Sequence, residues 1–182
     1  MELFVMEAKA EIWAIYDENR VNTGRTIVRG CQFAKGEFHV VVHVCILNSK
    51  GEMLIQQRQP FKQGWSNLWD VSCGGSAVFG DTSKEAAQRE LFEEIGLAYD
   101  FSDTRPCFTI NFSFGFDDWY IVVQDVDLDK LTLQYEEVQG VKWASKAEIL
   151  AMMDGGEFIP YKKPLIEMVF AMGGRYGGLR DD

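Results

Sequence analysis

The stretch GSAVFGDTSKEAAQRELFEEIGL, residues 75–97, decides how the chain folds. Thr82 and Glu85 have the spacing of a capping box, in which each side chain satisfies a free amide of a helix's first turn. Ala87, Leu91 and Ile95 recur at helical spacing and supply an apolar stripe. Gly96 followed by Leu97 fits a left-handed C-terminal cap with its apolar follow-on residue. A helix is therefore expected to open after Asp81 and close at Gly96. Within it Glu90, Glu93 and Glu94 share one face, with neighbouring Cβ atoms about 5–6 Å apart. They occupy the last turns, where the macrodipole is already negative and Lys or Arg would be the stabilising choice. Conflict of this kind marks a candidate functional site. A hard divalent cation resolves it, because carboxylate oxygens are its natural ligands. The plainer reading is a solvated acidic face, helped by an i,i+4 pair between Glu85 and Arg89.

Outward from this stretch the chain alternates strands and helices. Gly74-Gly75 ahead of the helix allows close backbone approach, and the Gly75 carbonyl could add an oxygen ligand. The β-branched run Phe38–Leu47 reads as a strand buried on both faces. Asn48 to Gly51 turns the chain and Met53–Gln57 returns beside it. Gln59–Leu68 reads as a loop and Trp69–Cys73 as a short strand. Downstream, Cys107–Phe114 and Trp119–Val126 read as strands turned through Gly115 to Asp118, and Val138–Trp143 as another strand. Ser145 and Glu148 repeat the capping box before a helix through Met153, and a last helix spans about Pro164–Met172. Residues 1–36 read as short strands and turns, and the tail from Arg175 as frayed. The sum is a layered α/β domain with a mixed sheet.

Composition narrows the function. Lys and Arg number 18 against 28 Asp and Glu, a net charge of −10. Such a surface repels nucleic acid and anionic lipid. The four cysteines (Cys31, Cys45, Cys73, Cys107) form no CxxC pair and the chain holds two histidines, which argues against a zinc site or a disulfide framework. Free thiols, with no signal peptide or apolar span, point to the cytoplasm and away from a membrane.

Gly75, Arg89-Glu90-Leu91, Glu93-Glu94, Gly96 and Leu97 resemble the Nudix box, G-x5-E-x7-R-E-U-x-E-E-x-G-U with U aliphatic. Eight of its nine fixed positions are met at the family's spacing, and the ninth, a Glu in the family, is Asp81. The flanks are similar to the Nudix α/β/α sandwich over residues 36–172. That would leave 1–35 as an N-terminal strand and turn extension and 173–182 as a C-terminal tail. The resemblance implies a hydrolase acting on a small-molecule diphosphate linked to another group, with Mg2+ or Mn2+ as cofactor. It makes Glu93 and Glu94 the main metal ligands, joined by the Gly75 carbonyl, and Glu90 a ligand or the group that activates water. Arg89 would hold the glutamates in place. Asp81 would either reach Arg89 from a shorter side chain or serve as a helix cap. A further carboxylate often enters such sites ahead of a late strand, and Glu137 of the pair Glu136-Glu137 occupies that place.

Other residues carry weaker signals. Arg29, Arg58 and Lys62 could meet substrate phosphates or be plain surface charges. Trp65, Trp69, Trp119 and Tyr120 could stack on a nucleobase or be packing aromatics. His39 and His43 lie an even number of residues apart on one strand, so a metal pair is conceivable beside the plainer core histidine. Cys73 reads as a small apolar packer. The segment GWSNLWDVSCGG looks like the isopentenyl-diphosphate-isomerase branch of the fold, but the intact R-E-U-x-E-E pattern favours hydrolysis. A non-catalytic Nudix domain that senses a nucleotide is the other alternative, which retention of all three box glutamates disfavours. The aromatic N-terminal segment could pair between subunits of a homodimer.

Overall fold

The computed structural model describes residues 10–179. Nine strands and three helices follow in the order β1 (Ile12–Tyr16), β2 (Asn22–Val28), β3 (His39–Leu47), β4 (Met53–Arg58), β5 (Trp69–Asp70), β6 (Cys73–Ser76), α1 (Ser83–Ile95), β7 (Phe108–Phe112), β8 (Gly115–Val123), β9 (Val138–Ala144), α2 (Lys146–Gly155) and α3 (Lys163–Met172). Strands β1 and β2 form a separate antiparallel hairpin, and the other seven form one mixed sheet.

The sheet is built on β3. Its apolar residues alternate between two faces, as a strand's period of two requires. Val40, Val42, Val44 and Ile46 pack with Ala86, Ala87, Leu91 and Ile95 of α1. Cys45 and Leu47 turn the other way and pack with Ile149 and Met152 of α2 and Ile166 and Val169 of α3. Burial of both faces explains why the run is continuously apolar, and it yields the expected α/β/α sandwich.

Topology opens a groove. β3 and β4 pair only near their shared turn, at Ile46↔Leu54 and Leu47↔Met53. Beyond it they part: β3 takes β6 as its neighbour, through Val42↔Gly75 and His43↔Gly74. β4 takes β9. Residues facing the gap come from both arms.

Three local expectations are corrected. Gly115–Asp118 is not a turn but the first half of β8, paired in parallel with His39–Val42; the chain turns instead at Ser113-Phe114. The acidic pair that suggests a turn is turned inward, Asp117 to His43 and Asp118 to Arg20. Trp69–Cys73 divides into β5 and β6, and Gly74-Gly75 lies within β6 rather than in a bend. The tail is tied down as far as Tyr176, whose hydroxyl donates to the Arg105 carbonyl and accepts from its amide.

The β1–β2 hairpin is folded onto this frame. Isolated bridges join Trp13 to Val78 and Tyr16 to Phe38. Trp13 and Phe33 both stack against His39, with ring centroids 4.6 and 5.0 Å away, and lie 6.3 Å from each other. The described aromatics of the N-terminal segment, Trp13 and Tyr16, thus pack within this chain. Residues 1–9, the rest of the segment considered for subunit pairing, lie outside the described residues. No helix among the described residues is long and apolar enough to cross a membrane.

Candidate active site

α1 forms as its sequence dictates. The Thr82 hydroxyl accepts from the Glu85 amide and the Glu85 side chain accepts from the Thr82 amide, a complete capping box. Gly96 ends the helix at φ 70°, a conformation that favours glycine. Because Glu85 is occupied at the cap, its expected pairing with Arg89 is not made. Arg89 Nε donates to Asp81 Oδ2 at 3.0 Å and Nη2 to the Ser76 carbonyl at 3.1 Å. Nη1 donates to Glu90 Oε1 at 2.8 Å and Glu93 Oε2 at 3.2 Å. Asp81 therefore reaches Arg89 despite its missing methylene, and Thr82, not Asp81, is the cap.

Five of the nine box positions share one cleft of about 160 Å³. Gly75, Arg89, Glu90, Glu93, Glu94 and Glu137 line it, as do Arg29, Arg58 and Lys62. Gly75 is there for space: a Cβ on it would overlap the Glu90 carboxylate. Burial raises the Glu90 pKa against the pull of Arg89, and Glu93 and Glu11 push it the same way. Glu94 is 4% exposed and is pushed up to about 8, by burial first and then by the charge of Glu90. Glu137 lies against Lys62 at 2.5 Å.

Among the described residues no three His, Cys, Asp or Glu form a ready metal cluster, and Arg89 takes one oxygen each of Glu90 and Glu93. The donor set nevertheless suits a hard ion. It is all oxygen, it crowds buried negative charge, and it contains an orphan: the buried Gln56 Oε1 has no partner while Gln56 Nε2 donates to Glu94 Oε2 at 2.8 Å. The residues present therefore fit such an ion.

Several sequence candidates lie elsewhere. Trp119 and Tyr120 are fully buried in the two cores and cannot meet a base. Trp69 is half-buried, with the Lys142 ammonium 4.8 Å over its ring. His39 and His43 do not join: His39 lies in its aromatic stack, and His43 bonds Asp117 through Nδ1 at 2.6 Å and Tyr161 through Nε2 at 3.1 Å. Cys73 is buried, and burial, then Glu94 and Glu90, hold its thiol well above its ordinary value. Glu11 and Gln134 line the cleft, and buried Gln56 bonds Glu94 beneath it, without having been singled out by sequence. Gln56 had a signal, a polar residue on the strand partner of an apolar run.

The family model described as NUDIX domain matches residues 37–163. The chain belongs to the Nudix family. Nudix hydrolases are enzymes acting on pyrophosphate bonds. The chain is 50% identical over 151 residues to an uncharacterised Nudix hydrolase of Listeria monocytogenes, covering 83% of this chain and 89% of that one. It is 30% identical over 145 residues to an isopentenyl-diphosphate Δ-isomerase of Pectobacterium atrosepticum, covering 76% and 79%. The crystal structure of DR0079 from Deinococcus radiodurans superposes with a TM-score of 0.69 at 26% identity, covering 87% of this chain and 97% of that one.

Proposed function

We propose that this Nudix protein is a Mg2+- or Mn2+-dependent hydrolase that cleaves a phosphoanhydride bond in a nucleoside diphosphate linked to another moiety. One observation carries the reading: Glu90, Glu93 and Glu94 share a single cleft with Arg58 and the Glu137–Lys62 pair, with Arg89 and Asp81 bracing the glutamates of the helix. A nucleotide and a manganese ion are named together for one Nudix-fold neighbour, a bifunctional enzyme of Francisella tularensis. We take residues 36–172 as the hydrolase unit, 1–35 as its extension and 173–182 as its tail.

Glu90, Glu93 and Glu94, with the Gly75 carbonyl, would hold the cation, which when bound neutralises phosphate oxygens. Arg58 and Lys62 bind the remaining phosphate charge, so a protein of net charge −10 accepts an anion. Arg89 fixes the rotamers of Glu90 and Glu93. Glu90 or Glu137 takes the proton of the attacking water. The new P–O bond forms as the bond from phosphorus to the bridging oxygen breaks, and the second phosphoryl group leaves with that oxygen. A buried Cys73 thiol kept in its protonated form supports hydrolysis over an isomerase using this cysteine. Its four free thiols suit a reducing cytoplasm.

The test is chromatographic detection of the two cleaved phosphorylated products from ADP-ribose, dinucleoside polyphosphates, NADH, oxidised nucleotides and isoprenoid diphosphates, with and without Mg2+. Glu93→Gln should abolish the metal-dependent turnover. Full turnover in that variant, or allylic isomerisation in place of phosphoanhydride cleavage, would overturn the reading.

A further inference from the structure

A second cavity, of about 410 Å³, adjoins the cleft; Arg58 and Gly74 to Ser76 line both. A phosphoryl group held at Arg58 therefore has this space within reach of the rest of its molecule. Its walls are unlike those of the cleft. Val41, Ile159, Pro160 and Trp65 supply apolar surface, and His43, Asp70 and Tyr161 supply polar groups.

Trp65 is 55% exposed and has φ 52°, left-handed backbone that a bulky residue adopts at a cost. Strain of this kind persists where surrounding structure holds it, and it clusters at ligand clamps. The loop is held: Arg58 Nε donates to the Gly64 carbonyl, and Gln139 Nε2 donates to Asn67 Oδ1. An indole so placed is a stacking platform.

The polar groups are ordered in a chain. His43 pairs through Nδ1 with Asp117 and through Nε2 with the Tyr161 hydroxyl, which donates to Asp70 Oδ1 at 2.7 Å. The Val71 amide also donates to Asp70 Oδ1, at 2.8 Å. Asp70 Oδ2 meets the Arg58 guanidinium only at 3.9 Å, beyond hydrogen-bond reach. This network leaves Oδ2 as the acceptor for a ligand, on a carboxylate that is 6% exposed.

We propose that this cavity seats the base of the nucleoside diphosphate, its ring stacked on Trp65 and its exocyclic amino group donating to Asp70 Oδ2. The inference rests on the cleft being the diphosphate site. Cytosine and adenine present an amino group at that edge. Uracil and hypoxanthine present a carbonyl, which would set acceptor against acceptor in a buried place.

The experiment measures equilibrium binding of CMP, UMP, AMP and IMP to the full chain by calorimetry in the presence of chelator. CMP should bind at least about tenfold more tightly than UMP, and AMP than IMP. Trp65→Gly, at an exposed position where glycine relieves the backbone, should weaken CMP and AMP at least about fivefold. Asp70→Asn, whose amide can donate as well as accept, should erase the amino preference. Equal affinities within each pair, unchanged binding in Trp65→Gly, or no binding of any of the four overturns the proposal. The readout needs no turnover: the expected binding pattern without metal-dependent hydrolysis would leave the base site standing and remove the catalytic reading, whereas hydrolysis without base selection would do the reverse.

Discussion

Gly75 on β6 and Glu90 on α1 compete for one volume: the carboxylate fills the place where a Cβ on residue 75 would stand. β6 is pinned to β3 by its register and α1 by its apolar stripe, so neither element can move aside cheaply. Gly75→Ala should therefore displace Glu90 rather than the backbone. We expect kcat to fall about 100-fold, the effect of a misplacement near 1 Å, with little change in thermal midpoint. Kinetics and a melting curve on the same preparation check both halves.

Arg89 uses three nitrogens on four acceptors, Asp81, Ser76, Glu90 and Glu93. A lysine keeps the charge but cannot span that fan. Arg89→Lys should lower kcat about tenfold or more and destabilise by about 1–2 kcal/mol. Steady-state rates and urea unfolding read these; a variant indistinguishable from wild type would remove the bracing role.

Asp118 is fully buried, and Arg20 of the N-terminal region meets both of its oxygens. Removing the guanidinium strands a buried carboxylate, so Arg20→Met should cost about 3 kcal/mol. The Thr109 and Ser83 hydroxyls also donate to Asp118 and cushion the loss. Adding Asp118→Leu should recover part of it, which urea unfolding of the single and double variants would show.

His39 titrates against folding. Burial lowers its pKa from 6.5 to about 4, and its Nδ1 has no partner. The unfolded chain binds the proton first, so the contribution is fully present above pH 6.5 and is lost as pH falls toward 4. The loss approaches about 3 kcal/mol. His39→Phe, which keeps a ring in contact with Trp13 and Phe33, should flatten stability over that window. Urea unfolding at pH 7 and pH 4.5 makes the comparison.

The residues differ in how openly they announce themselves. α1 is legible because its signals are local: the Thr82–Glu85 box, the Ala87–Leu91–Ile95 stripe and Gly96 act within one helix. β3 is legible by its β-branched composition. Asp117 and Asp118 misled because short-range turn chemistry makes no allowance for a distant His43 or Arg20 that neutralises them. Pairing of β3 with β8 is equally silent, since nothing in either strand names its partner. The box glutamates could be read from spacing, but Gln56 and Asp70 could not. Their importance arises from what distant elements bring beside them, Glu94 of α1 to Gln56 and Tyr161 of the loop before α3 to Asp70.

The parallel ladder running from His39↔Gly115 to Leu47↔Val123 encloses β6 and all of α1 in the loop it closes. During vectorial synthesis the acidic helix thus leaves the ribosome well before its platform is finished. Long-range parallel pairing is slow to form, so the nascent chain passes through a stage with the helix made and β3 present but the edge that β8 covers still open. That interval ends when β8 emerges and the central sheet can close.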